Sequence, residues 1–458
     1  MGSSLGLPQL AGMQHLGSPS RFDVVIVGAR CAGATLAALL ARQSLRVLLI
    51  DRARLPSDLV LSTHTLHPAG SRVMAELGCL QTLQEITPRI RSMRLERAHG
   101  RLDLTLDTDD YELCPRRERF DGLLQQAAER AGAELRDRTR ALGLIFSGTR
   151  VTGLRMTTEG IGEYSVHADW VVGADGRDSH VARWVNAEEY FAYAAPRACY
   201  WSYWTAPATF GTSNDYPGMY VGNRTGTLNM AFQTDHGQVL LGTAPELAHS
   251  KPFRANPLAA LRAALAESPA LAQIAAAQPC ERVRGHLPRN YFFRQAVGSG
   301  WLLLGDAGIH KEFVTGDGMS EALLQARSLA GVFTKGTEHE FARWWHARDL
   351  AALPMYYFGK VQGAAGPPPS FDGVVFERAA LDRALQRRFV QTLSHELSPF
   401  EVVPLATALW WLMAEICRGK WATVSQFTER GKILAELKRA RDQCRAQLVA
   451  SSARAVVG

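Results

Sequence analysis

Residues 23–51 read DVVIVGARCAGATLAALLARQSLRVLLID, and the rest of the chain is organised around them. The apolar run Val24 to Val27 suits a strand buried on both faces. A glycine turn follows, then Ala- and Leu-rich sequence that continues as a helix, then a second apolar run, Val47 to Ile50, closing on Asp51. Such a βαβ unit binds a dinucleotide: the turn brings backbone close to a pyrophosphate, and the helix N-terminus supplies unpaired N–H groups and a positive dipole end. Asp51 lies roughly 20 residues past the turn, where a carboxylate accepts hydrogen bonds from a ribose diol. The pattern G-x-G-x-x-G asks for glycine at 28, 30 and 33, but position 30 is Arg30. That side chain restricts backbone approach, while its guanidinium can meet phosphate directly. A structural βαβ whose glycines serve only packing is the alternative.

Composition narrows the function classes. A chain of 458 residues allows two or three domains. The net charge of +7 is spread out and mostly Arg, with Lys251 the first lysine. No basic block marks a nucleic-acid footprint, so a pyrophosphate cofactor is the simpler anionic partner. The seven cysteines form no CxxC pair, which argues against a disulfide framework or a metal site and for a reducing, cytoplasmic setting. Residues 1–20 lack the regions of a signal peptide and read as a loose tail. The most apolar late segment, Val402 to Ala414, is too short for a transmembrane span.

Beyond Asp51, His64 and His67 sit in a polar loop, where they either line a site or are ordinary loop groups. Arg117 enters an amphipathic helix with Phe120, Leu124 and Ala127 on its buried face, as a phosphate or flavin contact or as an ion pair with Glu118 or Asp121. Residues 141–176 read as a β-meander ending at Gly173-Ala174-Asp175-Gly176. Residues 195–245 read as an antiparallel sheet, followed by one helix from Pro257 to Ala277. In its first strand Tyr200, Ser202 and Trp204 share one face, Trp201 and Tyr203 the other. Either one set paves a flat apolar substrate pocket or these residues form a core or interface stripe, in which case the pocket lies elsewhere, under the C-terminal helices. A third glycine motif runs from the buried strand Trp301 to Leu304 through Gly305-Asp306 to Gly316-Asp317-Gly318-Met319 at the start of a helix. Residues 363–373, GAAGPPPSFDG, are the best boundary, and the tail beyond is helical.

In this order the three motifs resemble the FAD-dependent monooxygenase superfamily, the class A flavoprotein hydroxylase fold shared with prenyl reductases and flavin-dependent halogenases. The resemblance spans residues 21–360. It implies an α/β fold: a Rossmann-like FAD-binding domain (21–190 and 285–362), an inserted antiparallel β-sheet substrate domain (191–284) and a helical C-terminal region (363–458). It places Gly28, Arg30, Cys31, Ala32, Gly33, Asp51 and Arg52 on the ADP half of FAD. Asp175 supports FAD and NAD(P)H; Gly305 and Asp306 meet the ribityl and pyrophosphate part. Gly316, Asp317, Gly318 and Met319 face the pyrimidine end of the flavin, and Arg117 contacts flavin from the substrate side. Two departures stand out: Glu312 to Thr315 replaces a segment that often carries Pro, and Gly-Asp-Gly replaces Gly-Gln-Gly, putting a carboxylate near the flavin.

The implied activity uses NAD(P)H and O2 to hydroxylate or epoxidise an apolar aromatic or polyene-like small molecule, in secondary metabolism. Cofactor chemistry dominates, and His64, His67 and Asp317 are the side chains that could assist it. The alternatives are an FAD-dependent reductase of carbon–carbon double bonds, then a halogenase, then a non-catalytic flavoprotein.

Overall fold

Val24–Val27 and Val47–Ile50 carry no polar side chain to offer water on either face, and both become inner strands of a parallel sheet. The computed structural model describes residues 21–57, 65–98, 100–106, 110–334, 336–420 and 422–457. Strand Arg21–Val27 pairs in parallel with Val47–Ile50, Val24 opposite Val47, and with Gly162–Gly173, Val27 opposite Gly173. Trp301–Leu303 adds in parallel beyond Gly162–Gly173, and Glu134–Arg136 beyond Val47–Ile50. The strands preceding the three glycine motifs are therefore adjacent and end side by side, at the sheet edge where open α/β folds bind ligands. The meander also forms: Thr139–Ser147, Arg150–Thr158 and Gly162–Gly173 pair antiparallel, and the last of them doubles as the central parallel strand. Helix Cys31–Arg42 buries every residue from Ala32 to Ala41, packed between helices Arg117–Ala131 and Gly318–Phe333.

The second sheet corrects the expected boundaries. Its order is Arg284–His286, Cys199–Thr205, Gln238–Ala244, Leu228–Thr234, Met219–Asn223, Ser92–Arg97, Gly100–Thr105. The hairpin 92–105, expected with the FAD-binding residues, thus belongs here, with Ser92–Arg97 parallel to Met219–Asn223. Alternation identifies a strand but not its partner. One face is covered by two helices, Pro257–Leu265 and Pro269–Ala276, where a single helix was expected. Pro269 disfavours the helical conformation at Ser268, which is extended at φ −114°, ψ 109°.

Tyr200 and Trp204 belong to this covered face: the Tyr200 ring stacks on Phe253 at 4.2 Å, and Trp204 Nε1 donates to the Ala277 carbonyl at 3.1 Å. Trp204→Ala should therefore cost about 3–5 kcal/mol of stability in chemical denaturation, as deletion of a buried indole does. The protein that remains folded should keep its full flavin content.

The C-terminal region is no detached body either. Helices Ser370–Ala379, Arg383–Leu393 and Leu405–Cys417 send Phe371, Phe376, Leu385 and Trp411 into one apolar cluster with Met93, Trp201 and Met230 of the second sheet. The Pro/Gly break before them is fastened down. Buried Arg197 donates to the carbonyls of Gly363 (2.9 Å), Ala364 (2.6 Å), Gly226 (2.5 Å) and Ala244 (3.1 Å). The last helix runs Ala422–Val457, and no described helix is long and apolar enough to cross a membrane.

Candidate functional site

The three glycine loops interlock at the ends of the parallel strands. Gly28 has φ +106°, and a Cβ there would stand 2.4 Å from the Ala174 carbonyl oxygen; a Cβ on Gly33 would stand 1.9 Å from the Gly28 oxygen. Ala32 in turn packs against Gly305, whose Cβ would approach it to 2.9 Å. Two buried glutamines tie the loops to flanking helices: Gln125 Nε2 donates to the Ala29 carbonyl at 2.8 Å, and Gln325 Oε1 accepts from the Gly305 N–H at 3.1 Å. Asp51 accepts from the N–H groups of Ala29 and Ala53, both at 2.9 Å, which holds its carboxylate at the loop.

An FAD pyrophosphate fits this cradle. Helices Cys31–Arg42 and Gly318–Phe333 both start without a side-chain cap, so their first N–H groups have no side-chain oxygen competing for them. Arg30 is the residue that opens the first of these helices. Arg117 lies buried against its first residue, with Nη2 3.6 Å from Cys31 Sγ and 2.9 Å from Asp121, and its Nε has no partner. The ion-pair reading of Arg117 thus holds for Asp121, as a buried rather than a surface pair. Burial pushes the Cys31 thiol up to about 11, so it is neutral. Arg52 is exposed beside Asp51.

Two aspartates behave differently from each other. Asp175 accepts from Ser179 Oγ (2.5 Å) and from the N–H groups of His180 (2.7 Å) and Val181 (3.3 Å). Its carboxylate thereby anchors the short helix His180–Trp184. Asp306 is half-exposed, 3.4 Å from His310 Nδ1, and keeps an oxygen open to a ligand.

Asp317 is turned inward. It is 1 % exposed and accepts from Lys311 Nζ at 2.8 Å and Thr315 Oγ1 at 3.0 Å, while Lys311 also reaches Glu321 at 3.2 Å. Burial alone would raise the Asp317 pKa, but the Lys311 ammonium, with His395 and His67, outweighs it and holds it at about 2. The carboxylate expected near the flavin is therefore neutralised inside the protein. Asp317, Glu321 and His395 approach one another closely enough to suit a cation, and Lys311 already supplies that charge. Next to it, Glu312 is 1 % exposed; burial pushes its carboxyl up to about 7, and it presses on Gly363, where a Cβ would meet Oε2 at 2.5 Å.

A cavity of about 190 Å³ opens beside the Gly316 turn, between the second sheet and the C-terminal helices. Met93, Leu95, Met219, Val221, Met230 and Phe232 form its floor; Val375, Phe376, Phe389, Leu393 and Val402 form its roof. Two polar groups interrupt the apolar lining: Thr65, His67 and Thr315 on one side, Arg97, Gln362 and Asp372 on another. Neither expected set, Tyr200/Ser202/Trp204 or Trp201/Tyr203, lines it. Their strand is second from the far edge of the sheet, whereas the cavity lies over the strands that end at the 92–105 hairpin. Ser202 Oγ donates to the Glu281 carbonyl at 2.6 Å, and Tyr203 lies 4.0 Å beneath the Arg116 guanidinium, so both are structural.

His67 reaches the cavity wall with a carboxylate behind it. Nδ1 lies 2.8 Å from both oxygens of fully buried Glu112, and Nε2 lies 3.2 Å from the Thr315 carbonyl. Nε2–H donates to the Thr315 carbonyl, and Nδ1 shares a proton with Glu112, whose own carboxyl is pushed up by burial. Burial opposes a positive charge on the ring, but Glu112, with Asp317 and the Thr315 carbonyl, outweighs it and raises the His67 pKa. His64 lies outside the described residues.

Glu112, Lys311, Arg97 and the two glutamines escaped the sequence reading. Only Lys311 left a trace, as a lysine beside an acid inside a glycine motif of an Arg-dominated chain.

Comparison with known proteins agrees with this geometry. A family model described as an FAD binding domain matches residues 21–195. The digeranylgeranylglycerophospholipid reductase of Methanosarcina acetivorans is 28% identical over 315 residues, covering 68% of this chain and 74% of the relative. The flavin-dependent brominase Bmp2 superposes with a TM-score of 0.70 at 16% identity, covering 88% of this chain and all of the other. The p-nitrophenol 4-monooxygenase PnpA of Pseudomonas putida gives 0.67 at 16% identity, covering 83% and 99%. At such identities the two structures attest to the fold. The chain belongs to the FAD-dependent oxidoreductase superfamily.

Proposed function

We propose that this enzyme is a monooxygenase that uses NAD(P)H and O2 to hydroxylate or epoxidise an apolar, aromatic or polyene-like small molecule. The observation that carries the reading is the apolar cavity at the Thr315–Gly316 turn, roofed by the C-terminal helices. When bound, FAD supplies the electron transfer from NAD(P)H and the activation of O2. The chain's own residues bind and orient. The 28–33 loop and the open helix start hold the pyrophosphate, with Arg30 and Arg117 as cations. Asp51 takes the adenosine ribose, and Gly305 and Asp306 the ribityl side. The turn at Gly316, Gly318 and Met319 seats the pyrimidine end of the ring. Asp175 acts on reduction by NAD(P)H indirectly, by shaping the 175–180 loop. Met and Phe side chains exclude water from the reacting end of the cavity.

A second reading, reduction of a carbon–carbon double bond, is favoured by the relative named as a digeranylgeranylglycerophospholipid reductase and by His67, which holds a proton at the cavity wall. Oxygen uptake during NAD(P)H oxidation with a panel of aromatic and isoprenoid candidates separates the two. Uptake matched to an oxygenated product supports the first; an anaerobic product gaining two hydrogens supports the second. An enzyme whose flavin NAD(P)H cannot bleach would defeat both.

Asp51→Ala should weaken FAD binding by about 1–3 kcal/mol, through loss of charged hydrogen bonds. Fluorescence titration with FAD and with FMN checks this. The variant should lose affinity for FAD alone, because FMN carries no adenosine ribose.

A further inference from the structure

Among the described residues the buried arginines are matched, and half-buried Arg97 stands apart from them. Arg117 pairs with Asp121, Arg348 with Asp349, Arg294 with Glu189, and Arg197 is saturated by carbonyls. On the hairpin itself, Arg94 and Arg101 both pair with Asp103. Arg97, at the end of strand Ser92–Arg97, lines the cavity. Its Nη2 donates to Gln362 Oε1 at 2.7 Å and its Nη1 to the Glu96 carbonyl at 3.0 Å. Nε is buried without a partner, and the guanidinium lies 5.2 Å from the centre of the Phe376 ring.

No carboxylate among the described residues forms an ion pair with Arg97. Burial holds its pKa below the ordinary value; Asp372 opposes that by its charge without touching the guanidinium, and Gln362 bridges the two, its Nε2 donating to Asp372 Oδ2 at 3.2 Å. A cation held among apolar side chains without a contacting anion is costly, and the cost falls when a ligand brings one. The Gln362 and Phe376 contacts fix the plane of the guanidinium, leaving a preset surface for an oxygen anion.

We propose that Arg97 is the substrate-recognising cation of this cavity and that the substrate is an apolar molecule carrying a carboxylate. The proposal rests on the reading that the cavity is the substrate site. A single negative charge is favoured over a phosphate or diphosphate, because Asp372 already lines the same wall and would repel a second charge. With the acid on Arg97, the apolar body lies along Met93, Met219 and Met230, and its length decides which carbon arrives beside Thr315 and Gly316. Arg97 thereby sets the position of reaction as well as affinity.

The test is calorimetric titration of the FAD-loaded protein with geranic acid and geraniol, which share a chain and differ in the acid. The unaltered protein should bind the acid at least about tenfold more tightly than the alcohol, about 1.4 kcal/mol. Arg97→Met should leave the alcohol within about twofold and bring the acid down to it; Arg97→Lys should retain part of the preference. Equal binding of acid and alcohol by the unaltered protein overturns the role of Arg97 while the cavity reading stands, and needs no variant. Equal loss of both ligands in Arg97→Met also overturns it, by showing a structural role. Binding of neither ligand by the unaltered protein overturns the cavity reading and the proposal with it.

Discussion

Gly33→Ala will strip the protein of flavin and destabilise it by about 3 kcal/mol or more, the upper range for forcing atoms into a packed site. The added Cβ would stand 1.9 Å from the Gly28 carbonyl oxygen and 3.2 Å from the Ala174 Cβ, so the helix must part from two loops at once. Gly28 cannot retreat, because its own φ of +106° and its 2.4 Å clearance to the Ala174 oxygen already fix it. Gly331 supplies the control. It is exposed on helix Gly318–Phe333, with nothing near its Cβ position. Gly331→Ala should be neutral or stabilising by up to about 1 kcal/mol, the helix-propensity gain. Flavin absorbance of the purified variants and their thermal unfolding decide the matter. A Gly33→Ala protein as yellow and as stable as its parent would show that the close approach is not required.

Lys311→Met should cost about 3–5 kcal/mol at neutral pH, because it leaves two buried carboxylates without their cation. Asp317 and Glu321 would then face each other with His395, 3.8 Å from Asp317, and His67 left to oppose them. The pH dependence gives a signature that a packing loss lacks. In the parent, Asp317 is held at about 2, below the roughly 3.9 of an unfolded aspartate. Its contribution is thus fully present above that unfolded value and is lost as pH falls through the folded one. Without Lys311, burial is no longer outweighed, the pKa of Asp317 rises above the unfolded value, and acidification relieves the variant. The stability gap between parent and variant should therefore shrink as pH falls from about 7 toward about 4. Urea unfolding at several pH values measures it, and a gap independent of pH would mean that the ammonium does not hold these carboxylates.

Much of the fold was legible because its signals are local. The Val24–Val27 and Val47–Ile50 runs, the glycines of three turns and the alternation in residues 195–245 each report backbone preference or burial within a few residues. The helix break at Pro269 was equally local and was missed only because the Ala- and Leu-rich pattern on both sides hid it. The His67–Glu112 pair is a different matter: it joins residues that belong to no common motif, and a polar loop reading of His67 left no reason to look 45 positions ahead.

The sequence alone therefore determined the order of motifs, the dinucleotide cradle and the family, because a turn that needs glycine or a strand buried on both faces writes itself into consecutive residues. Tertiary structure alone decided where the apolar cavity opens. Strand alternation sorted Tyr200 and Trp204 from Trp201 and Tyr203, but neither set reaches the cavity; residues 92–105 pave it because they add to the sheet beside Met219–Asn223, and the 370–403 segment closes it. The charges followed the same rule. Whether Asp317 meets a ligand or Lys311, and whether Arg97 meets a carboxylate, depends on which side chains converge in a low-dielectric space, and no spacing along the chain encodes that.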